Sequence, residues 1–152
     1  MNPLWGISMT QQLYETDFYS WTQQQANLIR QGRLGELDLD NILEEIEGMG
    51  RSEYRQLSHR LDVLLMHLLK WKFQPENRST SWQGSIKEQR FRLKKLIKEN
   101  PGLRPRLPEA ATEAYGAAKI TAFKETGLPE TTFPTQCEWP FEQVINDEFW
   151  PD

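Results

Sequence analysis

Leu61-Asp62-Val63-Leu64-Leu65-Met66-His67-Leu68-Leu69-Lys70-Trp71-Lys72-Phe73 is the stretch whose reading decides the fold. Wound as a helix, it places Leu61, Leu64, Leu65 and Leu68 on one side. Val63, Met66, Leu69 and Phe73 cover much of the other. A helix that is apolar nearly all round is enclosed by its neighbours rather than laid on a surface. The run is far shorter than the ~20 apolar residues that a membrane crossing needs, and an aspartate, a histidine and two lysines interrupt it. Pro75 ends it, so a central helix is expected over about 57–74, followed by a short link rich in Pro, Asn and Ser.

On the C-terminal side, Ser79 or Thr80 can cap a helix over about 80–99. Trp82, Ile86, Leu93, Leu96 and Ile97 form its inner stripe, and Gln89 falls in the middle of that stripe. Lys87, Lys94, Lys95 and Lys98 lie opposite, with Phe91 among them. Pro108 suits the first turn of a further helix, about 108–126, whose alanines permit close helix approach and which Gly127 and Pro129 stop. One short helix is expected within 141–147.

On the N-terminal side, Leu39, Ile42, Leu43, Ile46 and Met49 recur at helical spacing from a start near Asp38 or Asp40. The same pattern runs on past Gly48-Met49-Gly50 into Leu57. Each glycine inside a helix costs about 1 kcal/mol relative to alanine. An unbroken helix from 38 to 74 would measure about 55 Å, long for a chain of this size. A break or kink at 48–52 is therefore expected, with a single continuous helix as the alternative. Asp17 is the natural cap of an earlier helix, about 17–31, and Gly32 and Gly35 bracket a turn. The ends, 1–12 and 128–152, are expected to be loosely structured. The resulting expectation is an all-α, single-domain bundle of four to five helices.

Cys137 is the lone cysteine, so no disulfide forms within the chain, which fits a reducing, cytoplasmic setting. No basic-then-apolar leader pattern opens the sequence. Six tryptophans suit core or interface anchoring. The net charge of −4 conceals a segregation. Residues 70–106 hold eleven basic side chains against three acidic. Residues 1–69 hold five basic against ten acidic, and residues 107–152 two against nine. Such a middle either complements the acidic ends or offers a patch to phosphates or an acidic partner.

The side chains able to do chemistry gather around the link. His67 is either a core imidazole satisfied by a hydrogen bond or a general base or metal ligand. Glu44 and Glu47, at i, i+3, are either a solvated face or carboxylates serving His67. The Glu-x-x-His pair of bundle di-metal sites is missing, so no metal or cofactor is expected. Lys70, Trp71, Arg78, Ser81, Trp82 and Arg90 form either a clamp, with an arginine on Glu44, Glu45 or Glu47, or a small anion pocket at a helix N-terminus. Lys87, Phe91, Lys94 and Lys98 form either a solvated face or a stacking, phosphate-contacting surface.

The chain also resembles a known family, the bacterial "domain of unknown function 29" proteins, from about Tyr14 to Pro151. The likeness rests on Tyr14-x-x-Asp17-Phe18-Tyr19-x-Trp21, on Glu44-Glu45-x-Glu47, and on Met49-Gly50-Arg51. Its most specific part is His67-Leu68-Leu69-Lys70-Trp71, followed by Gln74-Pro75, Arg78, Ser81-Trp82, Ile86 and Gln89-Arg90. Ala117-Ala118 and Thr126-Gly127-Leu128-Pro129 match as well. The resemblance implies an all-α fold and no particular reaction.

Three functions follow from the residues. The first is a non-catalytic module for protein interaction or self-association, working through the basic helix and the link. The second is an acid/base or metal-assisted hydrolase using His67 with Glu44 or Glu47. The third is nucleic-acid binding through Lys87, Phe91, Lys94 and Lys98 on helix 80–99, which the acidic net charge opposes. A membrane partner is not expected.

Overall fold

The structure, a computed structural model, describes residues 9–152, with side chains described from residue 12. Six α-helices and no strand occur among the described residues. They are α1 (Met9–Thr16), α2 (Phe18–Arg30), α3 (Leu39–Phe73), α4 (Thr80–Glu99), α5 (Leu107–Thr126) and α6 (Phe141–Val144). The all-α expectation holds. Of the N-terminal end expected to be loose, residues 1–8 lie outside the described residues, and α1 opens at Met9.

The helix boundaries follow local chemistry. Asp17 caps α2 by accepting the Ser20 N–H at 3.1 Å. Ser79 does the same for α4, accepting the Trp82 N–H at 3.2 Å. Gly127 closes α5 at φ 73°, a left-handed conformation that glycine adopts at no steric cost. Gln74-Pro75 ends α3, because proline crowds the helical conformation of the residue before it.

The expected break at 48–52 does not occur: α3 is one uninterrupted helix of 35 residues. Two glycines cost about 2 kcal/mol together, less than the cooperative gain of the turns on either side. Gly48 also has a local use. Glu44 and Arg51, at i and i+7, share a face with Gly48 between them. The Arg51 guanidinium passes 3.6 Å from where a Cβ on Gly48 would stand, and reaches Glu44 Oε1 at 3.3 Å.

The chain divides into two compact units, one ending at Arg51 and the other Ser52–Asp152. In the first, α1 and α2 pack together around Trp21, whose ring meets Tyr14 at 4.8 Å and Phe18 at 5.5 Å. Trp21 Nε1 donates to Asp38 Oδ2 at 3.0 Å, and the Asp38 N–H donates to the buried Gln25 at 2.8 Å, tying α2 to the start of α3. Tyr14 donates its hydroxyl to Glu45, and that bond pushes its pKa up to about 12.

The second unit holds the large core. Leu57, Leu61, Leu64, Leu65, Leu68 and Leu69 of α3 are sealed against Ile86 and Leu93 of α4 and Ala110, Ala114, Ala118 and Ala122 of α5. The buried alanines give α5 a small-residue face toward this core. The segment after Gly127 has only short helical turns, yet Phe133, Val144 and Pro151 are buried.

Candidate functional site

Around the link between α3 and α4, Lys70, Trp71, Arg78, Trp82 and Arg90 find partners inside the chain. Arg90 has no solvent exposure. Its Nε donates to the Val144 carbonyl at 2.8 Å and its Nη2 to the Phe149 carbonyl at 2.7 Å. Nη1 is buried with no hydrogen-bond partner among the described residues. Desolvation pulls the guanidinium below its ordinary value, and Asp147 opposes this. Arg78 donates through Nε to the Trp71 carbonyl at 2.8 Å and through Nη2 to the Pro151 carbonyl at 3.2 Å. Trp71 and Trp150 pack at 4.8 Å, with Arg78 over the first ring and Arg90 over the second. The arginines thus clamp, but not on Glu44, Glu45 or Glu47. They hold backbone carbonyls of the C-terminal segment, where a charge-assisted bond needs no second buried charge.

Lys70 is buried, 3.1 Å from Glu125 and 4.6 Å from the Trp82 ring centroid. That arrangement compensates a charge withdrawn from water. Ser81 is exposed in the first turn of α4. His67 is half-buried, and its Nδ1 lies 2.8 Å from the Val63 carbonyl one turn back. A carbonyl only accepts, so Nδ1 carries the proton and Nε2 the lone pair. Burial holds the imidazole below its ordinary range; the Val63 hydrogen bond opposes this, Lys70 adds to it and Glu125 opposes it.

Glu44 and Glu47 are exposed and belong to the first unit, whereas His67 belongs to the second. Among the described residues, no group of three or more His, Cys, Asp or Glu side chains could hold a metal ion. Lys87, Phe91, Lys94 and Lys98 are exposed on α4, and Lys94 pairs with Asp147 at 2.9 Å.

Two features escaped the sequence reading. One is a cleft of about 440 Å³ in the second unit, bounded by α3, α5 and the segment 135–144. Its residues lie up to 83 positions apart, from Leu61 to Val144, so no local spacing announces it. The other is in the first unit. Leu39, Leu43, Ile46 and Met49 form one row along α3 and are 63, 56, 55 and 62 % exposed. The spacing revealed the row; that the described residues leave it more than half exposed was not legible.

Residues 13–150 match the model of the domain of unknown function DUF29, and the chain belongs to that family. No curated protein and no solved structure matches it. Among the described residues, no helix is long and apolar enough to cross a membrane.

Proposed function

We propose that this chain is a protein-interaction module whose working surface is the apolar row of the first unit, and that its partner is a cationic amphipathic helix. The row Leu39, Leu43, Ile46 and Met49, left more than half exposed, carries the reading. A helix that buries i, i+4, i+7 anchors in this way is a common recognition element. Charge selects the partner's chemistry. Between Leu39 and Gly50 lie Asp40, Glu44, Glu45 and Glu47 and no basic side chain, with Arg51 first to interrupt. A partner helix with leucines on one face and lysines beside them satisfies both the row and its acidic flanks. The basic helix and the link, the working surface expected from the sequence, support this reading less well. Arg78, Arg90 and Lys70 already have internal partners.

The test titrates the full chain with a fluorescently labelled Leu/Lys amphipathic peptide. Saturable binding is expected, falling by at least about tenfold in Leu43→Asp and Ile46→Asp, because each places an unpaired charge in a contact worth more than ~1.4 kcal/mol. Equal affinity for a peptide of the same composition with its apolar face scattered overturns the reading. So does light scattering that finds a dimer which Leu43→Asp dissolves, since the occupant is then a second copy.

A further inference from the structure

The cleft of the second unit contains none of the candidate site residues that the sequence singled out. Its volume, about 440 Å³, lies within the ~300–1,000 Å³ of small-molecule sites. Leu61 and Leu65, both sealed from solvent, form its floor. Trp139 and Phe141 supply an aromatic wall. On the α5 side stands Gly116, where an added Cβ would meet nothing within 4 Å, so a missing side chain keeps the space open.

The polar groups within are mostly committed. The Tyr115 hydroxyl donates to the Pro134 carbonyl, Thr112 to the Pro108 carbonyl at 3.0 Å, and the Cys137 thiol to the Trp139 carbonyl at 3.5 Å. Burial pushes the Cys137 thiol up, which keeps it protonated and a poor nucleophile. The cleft is therefore equipped to hold a molecule rather than to attack one. One charged side chain lines it, Lys119. Its Nζ donates to the Thr135 carbonyl at 3.2 Å and lies 5.4 Å from the Tyr115 ring centroid. An ammonium has three donors, so two remain. No carboxylate is among the residues lining the cleft.

From these observations we infer a binding site for a small organic monoanion with an apolar, preferably aromatic, body: the ring lies against the partly exposed Trp139 and Phe141, and the carboxylate reaches Lys119 at the rim. This site shares no lining residue with the apolar row of the first unit, so each reading is tested apart from the other.

The experiment titrates the full chain with 3-phenylpropionate, its neutral amide and the corresponding amine, read by backbone amide NMR shifts and Trp fluorescence. Saturable shifts are expected at Leu65, Gly116 and Cys137. The carboxylate should bind about tenfold more tightly than the amide, the factor of one charge-assisted hydrogen bond, and the amine most weakly. Lys119→Met should bring the carboxylate down to the amide's affinity, and Gly116→Phe should abolish both. Because Lys119 is half-exposed, its exchange keeps the test decisive even if the bulkier one unfolds the chain. Absence of saturable shifts, or equal carboxylate and amide affinities in the unaltered chain, overturns the proposal.

Discussion

Helix α3 carries leucine-rich rows along both its halves, and the two halves meet different fates. Between Leu57 and Leu69 the leucines are sealed by α4, α5 and the C-terminal segment. From Leu39 to Met49 the same kind of row is left more than half exposed. The difference lies in what packs against each stretch. In the second unit, small alanines on α5 and a tail held by two arginines allow full enclosure. In the first unit, α1 and α2 are tied to this stretch by Tyr14–Glu45 and, just before the helix, Trp21–Asp38, polar bonds that leave the row exposed. Hydrophobic periodicity says which face is apolar; it does not say what covers that face.

The sharpest way to break this contrast is Leu64→Ala in the enclosed half. It removes a fully buried side chain and should cost about 2–5 kcal/mol, read as a lower denaturation midpoint. A loss below about 1 kcal/mol would mean that the enclosure is loose. Arg90→Met comes next. It keeps the apolar stem but strips the Val144 and Phe149 carbonyls of their donors, with about 2–3 kcal/mol expected. Hydrogen exchange should locate the damage in residues 144–151; uniform protection there would contradict the clamp. Gly50→Ala acts in the opposite direction. Nothing stands within 4 Å of the added methyl, so helix propensity alone should stabilise the exposed half by up to about 1 kcal/mol, seen as slower amide exchange across 39–51.

A smaller effect concerns pH. An unfolded imidazole titrates near ~6.5, and that of His67 lies lower when folded. Between those values the unfolded chain holds a proton that the folded chain does not. His67 therefore contributes its full stability above about pH 6.5 and loses it as pH falls through the folded value. The fall in Tm between pH 7.5 and 5 should be shallower in His67→Gln, and parallel profiles would refute this assignment. Smallest of all is Leu43→Ala, expected within about 0.5 kcal/mol of the parent chain. A loss like that of Leu64→Ala would show that the exposed row is covered after all.

Much of this architecture was legible beforehand, because local chemistry writes it. Asp17, Ser79, Pro75, Pro108 and Gly127 mark helix ends within one or two residues of where they fall. The continuity of α3 was not legible, since the glycine penalty is local while the cooperativity that outweighs it is spread over many turns. The partners of the link arginines were misread. Sequence shows charges and so suggests ion pairs, whereas Arg78 and Arg90 bind carbonyls that every residue possesses. The cleft left no trace at all, because Leu61, Gly116 and Trp139 meet only after three separate segments have folded.

Those arginine contacts bear on how freely the chain can drift. A guanidinium that grips main-chain oxygens takes no account of which side chains hang beside them. Where Arg90 meets positions 144 and 149, and Arg78 meets 151, substitutions that preserve the local backbone path leave the tether whole. The two arginines are the fixed points of the main chain; Val144, Trp150 and Pro151 are held by their own packing as well, and the freedom to change composition falls to the exposed positions 146–148.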